Sequence, residues 1–523
     1  MDIVSIFPAW VLTHGPALLV VLPLMMAVLT ALAPNKNIAG VNIPWVMTGG
    51  TVVVCAILAF SVLMQVLSHG PINYAMGGWE PPIGIAYYID ALNAPILLLI
   101  TLVAVLCTLY ALPSVSAEVE PKKRAPFYAA FLVSFAGLLG MVTTGDAFNV
   151  FVFLEVSSIS TYVLVAMGAS RDRRALTAAY NYLIMGSIGA TFLVIGIGFL
   201  YMQTGTLNMI DIARILQESG PDSRVVKLAF AFIVVGLGLK LAMFPLHTWL
   251  PGAYAYAPSF MTAFLAATAT KAALYLLLRF TFTIFDPSWG FVGKSLMYLL
   301  AGMGILGMMV ASLQAIFQND LRRVLAFSSV AQVGYMLLGI GMATTLGVTA
   351  GYLHMINHAI MKGALFLAVG AFWYRFGITQ VSDMRGLGKT MPLTMAAFTI
   401  AGLSLIGVPG TVGFVSKLAL ARAAAENGWW WAIGVIVVTS ILAIVYIGRL
   451  IEQAYFHEPP NQGGGTLAKN EAPLIMLIPL WILAISALVF GINAEWTTSL
   501  ARTAADVLSG GPIVNMPYIA GGH

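Results

Sequence analysis

The sequence predicts an all-α polytopic membrane protein of about fourteen transmembrane helices, with two inverted five-helix repeats and broken helices at positions 7 and 12. Three observations carry this. Only 9% of the 523 residues are charged and 60% are hydrophobic, with a mean hydropathy of +0.92; soluble domains carry about 25% charged residues. Apolar runs of roughly 18–25 residues, long enough to cross a bilayer as helices, recur from end to end. Ionisable side chains nevertheless stand inside these runs: Glu155, Lys240, Lys271, Lys362 and Lys417, with His354 and His358 beside them. Each charge at bilayer depth costs about 2.5–3.5 kcal/mol on insertion scales, so such a set reads as a buried route for ions, most simply protons.

The same features exclude several classes. The runs are continuous rather than alternating, which rules out a porin-like barrel. The first run follows Met1 and Asp2 with no basic stretch before it, so it is expected to stay in place rather than act as a cleavable signal. A net charge of +5 spread over loops is too small to argue for nucleic acid. Cys55 and Cys107 lie in apolar segments without CxxC spacing and read as core residues. No cofactor or metal is expected.

Taken in order, the spans fall at about 12–33, 44–67, 90–113, 127–144, 147–168, 176–203, 226–249, 259–284, 293–317, 322–342, 346–373, 392–421, 431–456 and 473–493. They are numbered 1 to 14 here. The longest linker, 204–225, contains Met209 to Leu216, which reads as a short amphipathic surface helix. Residues 457–472 read as a Pro/Gly loop and 510–523 as a frayed tail. Gly186 and Gly189, and Gly302, Gly304 and Gly307, predict close helix packing. Basic residues divide 13 to 6 between alternate loops, the richer set including Lys36, Lys122, Arg171, Arg322 and Lys469. The positive-inside rule then places both termini on the outer side.

Spans 7 and 12 each combine a helix breaker with a lysine: Gly236 and Gly238 with Lys240 and Pro245, and Gly407, Pro409 and Gly410 with Lys417. Five spans separate them. An odd number of spans per repeat inverts the second copy, and paired broken helices in inverted repeats mark ion-coupled transporters. The organisation expected is an N-terminal three-helix segment (1–125), two five-helix repeats (126–285, spans 4–8; 286–457, spans 9–13) and a C-terminal helix and tail (458–523).

The chemistry follows from the residue types. Burial disfavours an ammonium, so a buried lysine exchanges its proton at modest cost, and a movable carboxylate partner can switch it. Glu155 and Lys240 are candidates for such a pair, against a static ion pair. Lys271 is too deep in span 8 to snorkel; Thr268 and Thr270 could hold water beside it, against a packing role bonded to a broken-helix carbonyl. His354, His358 and Lys362 are spaced i, i+4, i+8 on one helix face, and histidine relays protons from either ring nitrogen. The rival for His354 and His358 is a metal site, but HExxH lacks its glutamate here. Lys417 lies beyond the second break, with outward snorkelling as its alternative. His247, Arg279, Asp90 and Asp146 fall near span ends, where capping or interfacial roles compete with functional ones. Asp90 and Glu155 could also help to bind Na⁺.

These motifs resemble the antiporter-like subunits shared by Mrp-type cation/proton antiporters, respiratory complex I and membrane-bound hydrogenases. The resemblance covers about residues 85–455 and rests on Phe153 to Glu155, Leu239 to Pro251, Ala269 to Tyr275, Gln318 to Tyr335, His354 to Phe366 and Gly407 to Lys417. It implies that Glu155 and Lys240 are the input pair, Lys271 the bridge, His354, His358 and Lys362 the central relay, and Lys417 the terminal lysine. His247, Asp146, Thr268 and Thr270 are secondary candidates. Arg171 to Gly186 looks most like the D-type member of Mrp antiporters, and no long C-terminal extension of the largest members is present. The resemblance thus implies a proton-translocating subunit of a Na⁺/H⁺ antiporter in a bacterial plasma membrane. Its partners would be H⁺, Na⁺, small hydrophobic subunits and a larger related subunit. The rival is the pumping subunit of a redox complex.

Overall fold

The computed structural model describes residues 7–35, 37–38, 41–220, 223–458, 470–510 and 519–520. Among them, twelve continuous helices are long and apolar enough to cross a membrane. They are Ala9–Leu32 (span 1), Ile43–His69 (2), Ala94–Glu118 (3), Pro121–Thr143 (4), Ala147–Ser170 (5), Arg174–Thr204 (6), Ser259–Ile284 (8), Gly290–Ile316 (9), Leu321–Gly341 (10), Thr345–Phe376 (11), Trp430–Phe456 (13) and Leu474–Ile492 (14). Spans 7 and 12 are each split in two, as Arg224–Leu241 with Trp249–Tyr256 and Pro392–Ile406 with Val412–Glu426. Lys36 and Lys469 of the loop-charge argument lie outside the described residues.

Short polar caps start several spans. The Asp146 carboxylate accepts from the Asn149 amide (2.7 Å), Asp320 from Arg323 (2.9 Å) and Thr344 from Gly347 (3.1 Å), each satisfying an amide that the first helical turn leaves open. Span 6 closes on left-handed Gly205 and span 11 on Gly377. The surface helix expected after span 6 runs Met209–Ser219, capped by Asn208.

Two expectations need correction, and two elements went unread in the sequence. Span 3 does not stop at Pro113 but continues to Glu118. In a membrane helix, neighbours can satisfy the carbonyl that a proline leaves free. A hairpin of Ile72–Ala75 and Ala86–Ile89 joins spans 2 and 3, and Glu495–Ser509 forms an amphipathic helix after span 14; neither has the long apolar signature that guided the span assignment. Part of the expected frayed tail, Ile519–Ala520, pairs with the Ile72–Ala75 strand.

Glycines let the spans approach. A Cβ on Gly236 of span 7 would lie 2.6 Å from the Gly189 carbonyl of span 6, and one on Gly304 of span 9 would lie 2.7 Å from the Gly334 carbonyl of span 10. Gly302, grouped with these in the sequence, instead faces open space. Spans 8, 10 and 11 are the most enclosed and form the centre of the molecule, whereas spans 1, 6, 13 and 14 present most of their surface outward.

Span 3 is strapped along span 8 at both ends by buried charge. Arg279 donates to Asp90 through two bonds of 2.8 Å, with both side chains sealed from solvent. At the other end Glu118 accepts from Arg171 (2.8 Å), from the Ser259 amide that opens span 8 (2.9 Å) and from Ser114 (2.9 Å). Fully bonded in this way, a buried pair fixes two elements in register. Asp90 is therefore committed to Arg279 and is not free to hold Na⁺. Arg279 and Asp90 are buried within the protein, joined in a structural pair at the ends of spans 8 and 3.

Candidate functional site

Span 5 carries Glu155 half-covered near its middle, and span 7 brings Lys240 to the same region. The two charges act on one another, yet no ion pair joins them within 4 Å among the described residues. The Lys240 ammonium instead donates to the Ser158 hydroxyl, one helical turn beyond Glu155 on the same face. One Glu155 carboxylate oxygen is buried without a hydrogen-bond partner. Aromatic faces complete the lysine's surroundings, with Tyr182 at 5.6 Å and Tyr162 at 5.7 Å from Nζ. The expected carboxylate–lysine pair is thus a separated pair. A buried ammonium with one hydroxyl partner is weakly anchored.

Beside Lys240 lies a cavity of about 20 Å³ lined by Leu154, Ser157, Thr161 and, from span 8, Leu265, Ala269 and Ala273. It is large enough for about one water molecule. It lies between Lys240 and the helix that carries Lys271.

Lys271 is fully buried at the centre of the molecule. Its ammonium donates to the Ala266 carbonyl of its own helix and to the Thr270 hydroxyl (3.3 Å). The Thr268 hydroxyl donates to the Phe264 carbonyl at 2.7 Å, the usual fate of a threonine facing its own preceding turn. The Lys271 charge reaches the second repeat, acting on His354, His358 and Lys362.

In span 11, His354, His358 and Lys362 share the face that the i, i+4, i+8 spacing predicts, and all three are sealed from solvent. Their bonding differs. Lys362 donates to the Leu325 carbonyl (2.7 Å) and to Ser328. His354 is held on both ring nitrogens, Nδ1 against Ser416 (2.9 Å) and Nε2 against Gln332 (2.8 Å). Among the described residues His358 has no partner on either nitrogen, and Asn357 Oδ1 next to it has none. The rings of His354 and His358 lie nearly parallel, 6.4 Å apart. With His354 fully engaged, the pair does not present two free nitrogens to one ion. Among the described residues no third His, Cys, Asp or Glu joins them. Buried orphan atoms of this kind ask for internal water.

Lys417 does not snorkel. It turns into the break of span 12 and donates to the Leu405 carbonyl (3.1 Å), the Ile406 carbonyl (2.8 Å) and the Ser440 hydroxyl (3.1 Å), with the Tyr335 ring 4.8 Å below. The break creates these acceptors: Gly407 adopts φ +96° and ends the helix, leaving its last carbonyls free. Glycine is needed there for a second reason, because its Cβ would sit 3.0 Å from Lys417 Cδ.

The secondary candidates have settled positions. Asp146 caps span 5. His247 is buried in the break of span 7, stacked on Phe244 (5.3 Å) and edge-on to Phe327 of span 10 (6.3 Å), with Nδ1 unpartnered among the described residues. The sequence reading missed the hydroxyl and amide partners Ser158, Ser328, Gln332, Tyr335, Ser416 and Ser440. A signal existed for some: Ser328, Gln332 and Tyr335 recur at helical spacing on span 10, a polar stripe in an apolar helix.

From Glu155 to Lys417 the ionisable groups therefore form one succession through spans 5, 7, 8, 11 and 12. Its consecutive members are linked by proximity, a one-water cavity and unpartnered polar atoms rather than by direct bonds. Such an arrangement can pass charge only when water or side-chain movement closes each gap.

Known proteins share this arrangement of elements. Residues 144–443 match the family described as NADH:quinone oxidoreductase/Mrp antiporter, transmembrane region. The chain is 41% identical over 496 residues to an N-type NADH-quinone oxidoreductase subunit of Desulforudis audaxviator, covering 92% of this chain and 96% of that one. It is 33% identical over 439 residues to a D-type Na⁺/H⁺ antiporter subunit of Alkalihalophilus pseudofirmus, covering 83% and 87%. Two solved structures superpose on it with a TM-score of 0.85 each. One is from an archaeal membrane-bound sulfane sulfur reductase (34% identity; 94% of this chain, 97% of that one), the other from the Mrp complex of Dietzia sp. DQ12-45-1b (27%; 95% and 97%).

Proposed function

The chain belongs to the NADH:quinone oxidoreductase/Mrp antiporter transmembrane family, and on that premise we propose that it is the proton-translocating D-type subunit of a multisubunit Na⁺/H⁺ antiporter. The observation that carries the reading is the succession of ionisable groups from Glu155 to Lys417 in the bundle interior, the lysines and His354 held by neutral partners and Glu155 and His358 left with unpartnered atoms. Protons enter at Glu155 and Lys240. They pass Lys271 and the relay of His358, Lys362 and His354, and leave by Ser416 and Lys417. Each protonated lysine disfavours protonation of its neighbour, so charge moves along the row in steps. The complex lies in a bacterial plasma membrane with both termini of this chain outside. Its other members are small hydrophobic subunits and a larger related subunit.

The test uses everted membrane vesicles and a fluorescent pH probe. Adding Na⁺ should move protons with the native chain. Glu155→Ala and Lys240→Ala should each abolish this in complexes that still assemble. Undiminished movement in both variants would sink the relay assignment.

A second reading is favoured by a specific observation, the 41% identity to an oxidoreductase subunit. In it the same relay is driven by a redox module, and this chain binds no redox centre. Mass spectrometry of what co-purifies in mild detergent separates the two. An iron–sulfur or flavin protein in the preparation selects the redox-driven complex; related membrane subunits without one select the antiporter.

A further inference from the structure

We infer that the break of span 12 is a binding site for a dehydrated monovalent alkali cation, which the Lys417 ammonium occupies in this structure as a tethered competitor. The inference rests on the antiporter reading and adds to it the place where the exchanged cation sits.

The ammonium has three N–H donors, and all three are used: on the Leu405 carbonyl, the Ile406 carbonyl and the Ser440 hydroxyl, at 2.8–3.1 Å. The Tyr335 ring closes a fourth side. No other lysine of the row has so complete a set. Lys362 and Lys271 have two acceptors each and Lys240 has one. The ligands are neutral oxygens, two of them the free carbonyls at the C-terminal end of a broken helix, the donor set with which membrane proteins strip and hold alkali ions.

The neighbours explain why the two occupants exclude each other. Tyr335 faces Lys417 from span 10, His354 from span 11 across Ser416, and Tyr446 lies behind Tyr335 on span 13. The first half of span 12 and span 14 contribute no titratable residue there, and no carboxylate acts on Lys417 among the described residues. A cage without a counter-charge holds one positive charge far more readily than two. The cation therefore enters only when the ammonium has given up its proton and withdrawn. One proton leaves, one cation arrives, and the charge of the site is unchanged. That proton departs beyond Lys417, the end of the row, and Ser416, bonded to His354 Nδ1 at 2.9 Å and adjacent to Lys417 in sequence, is the link through which the relay reloads the lysine.

Equilibrium binding of radioactive sodium and, separately, rubidium to the assembled complex in detergent tests this, with a pH-indicator dye to count protons. The native complex should bind one of the two ions more tightly as pH rises from neutral to alkaline and release about one proton per ion. Lys417→Met should bind it at both pH values alike. Ser440→Ala, tested in the native chain and in the Lys417→Met chain, should weaken binding roughly tenfold. Two outcomes overturn the site: neither ion binding in excess to Lys417→Met over the native complex at neutral pH, or Ser440→Ala without effect in the native chain. The second holds even if Lys417→Met fails to assemble. Binding without Na⁺-driven proton movement would remove the antiporter reading and leave the site. Na⁺-driven proton movement without binding would do the reverse.

Discussion

The two five-span repeats place a broken helix and a lysine at corresponding positions and hold that lysine in opposite ways. In the first repeat Lys240 precedes the break. Its anchor is the Ser158 hydroxyl on a neighbouring helix, and its nearest counter-charge is Glu155 on that same helix. In the second repeat Lys417 follows the break. Its anchors are the carbonyls that the break releases, and no carboxylate replaces Glu155; span 10 offers Ser328, Gln332 and Tyr335 instead. The middle spans differ too. Span 6 carries no Asp, Glu, His, Lys or Arg between its ends, whereas span 11 carries His354, His358 and Lys362. One repeat balances its lysine with a charge, the other with dipoles. A carboxylate responds to the movement of a partner, whereas a set of carbonyls offers fixed dipoles, so the same backbone plan surrounds its two lysines with different electrostatics.

The closing arginines give the largest expected contrast. Arg279, near the end of span 8, is fully paired with Asp90; Arg449, near the end of span 13, donates only to the Ile316 and Gln318 carbonyls and to Asn319. Asp90→Asn should destabilise the subunit by about 3–5 kcal/mol, because it leaves a buried guanidinium uncompensated. Arg449→Leu should cost only about 1–2 kcal/mol. Thermal melting of the purified complex measures both, and equal losses would erase the distinction.

The breaks themselves come next. Gly407→Ala places a Cβ in a left-handed residue against Lys417 and should cost at least about 1–2 kcal/mol. The first break already carries a side chain in that conformation, Ala242 at φ +58°. Ala242→Gly should therefore be neutral or stabilise by up to about 1 kcal/mol. Matching signs in chemical denaturation would mean that the two breaks are not built alike.

Anchoring differs by less. Ser158→Ala removes the one hydrogen-bond partner that Lys240 has among the described residues and should slow vesicle proton movement roughly tenfold, equivalent to about 1.4 kcal/mol. Ser328→Ala leaves Lys362 its Leu325 carbonyl and should slow it less than about threefold. The reverse order would place the weaker link in the second repeat.

The smallest effect lies in the linker between spans 5 and 6. There the Arg174 guanidinium holds the Asp172 carboxyl below its ordinary range. That contribution is present above the carboxylate's unfolded pKa and fades as pH falls through the lowered folded value. Arg174→Ala should cost no more than about 0.5 kcal/mol at neutral pH, and less in acid, because both side chains are partly in water.

The membrane class, the long apolar helices and the two breaks were legible in the residues alone. They follow from apolar length and from glycine and proline, which act through the local backbone. The ionisable set was legible for the same reason, since a charge inside an apolar run needs no partner to be noticed. The shared face of His354, His358 and Lys362 followed from helical periodicity. What each charge touches was not legible. Asp90 meets Arg279 across 189 residues and His354 meets Ser416 across 62; Ser158 and Ser440 look like any other serine in an apolar helix. That Lys417 turns inward, and that Glu155 and Lys240 stand apart, was set by tertiary packing. Hydrogen-bond partners in a bilayer must come from protein rather than from water, and which protein atoms are near is a property of the assembled bundle.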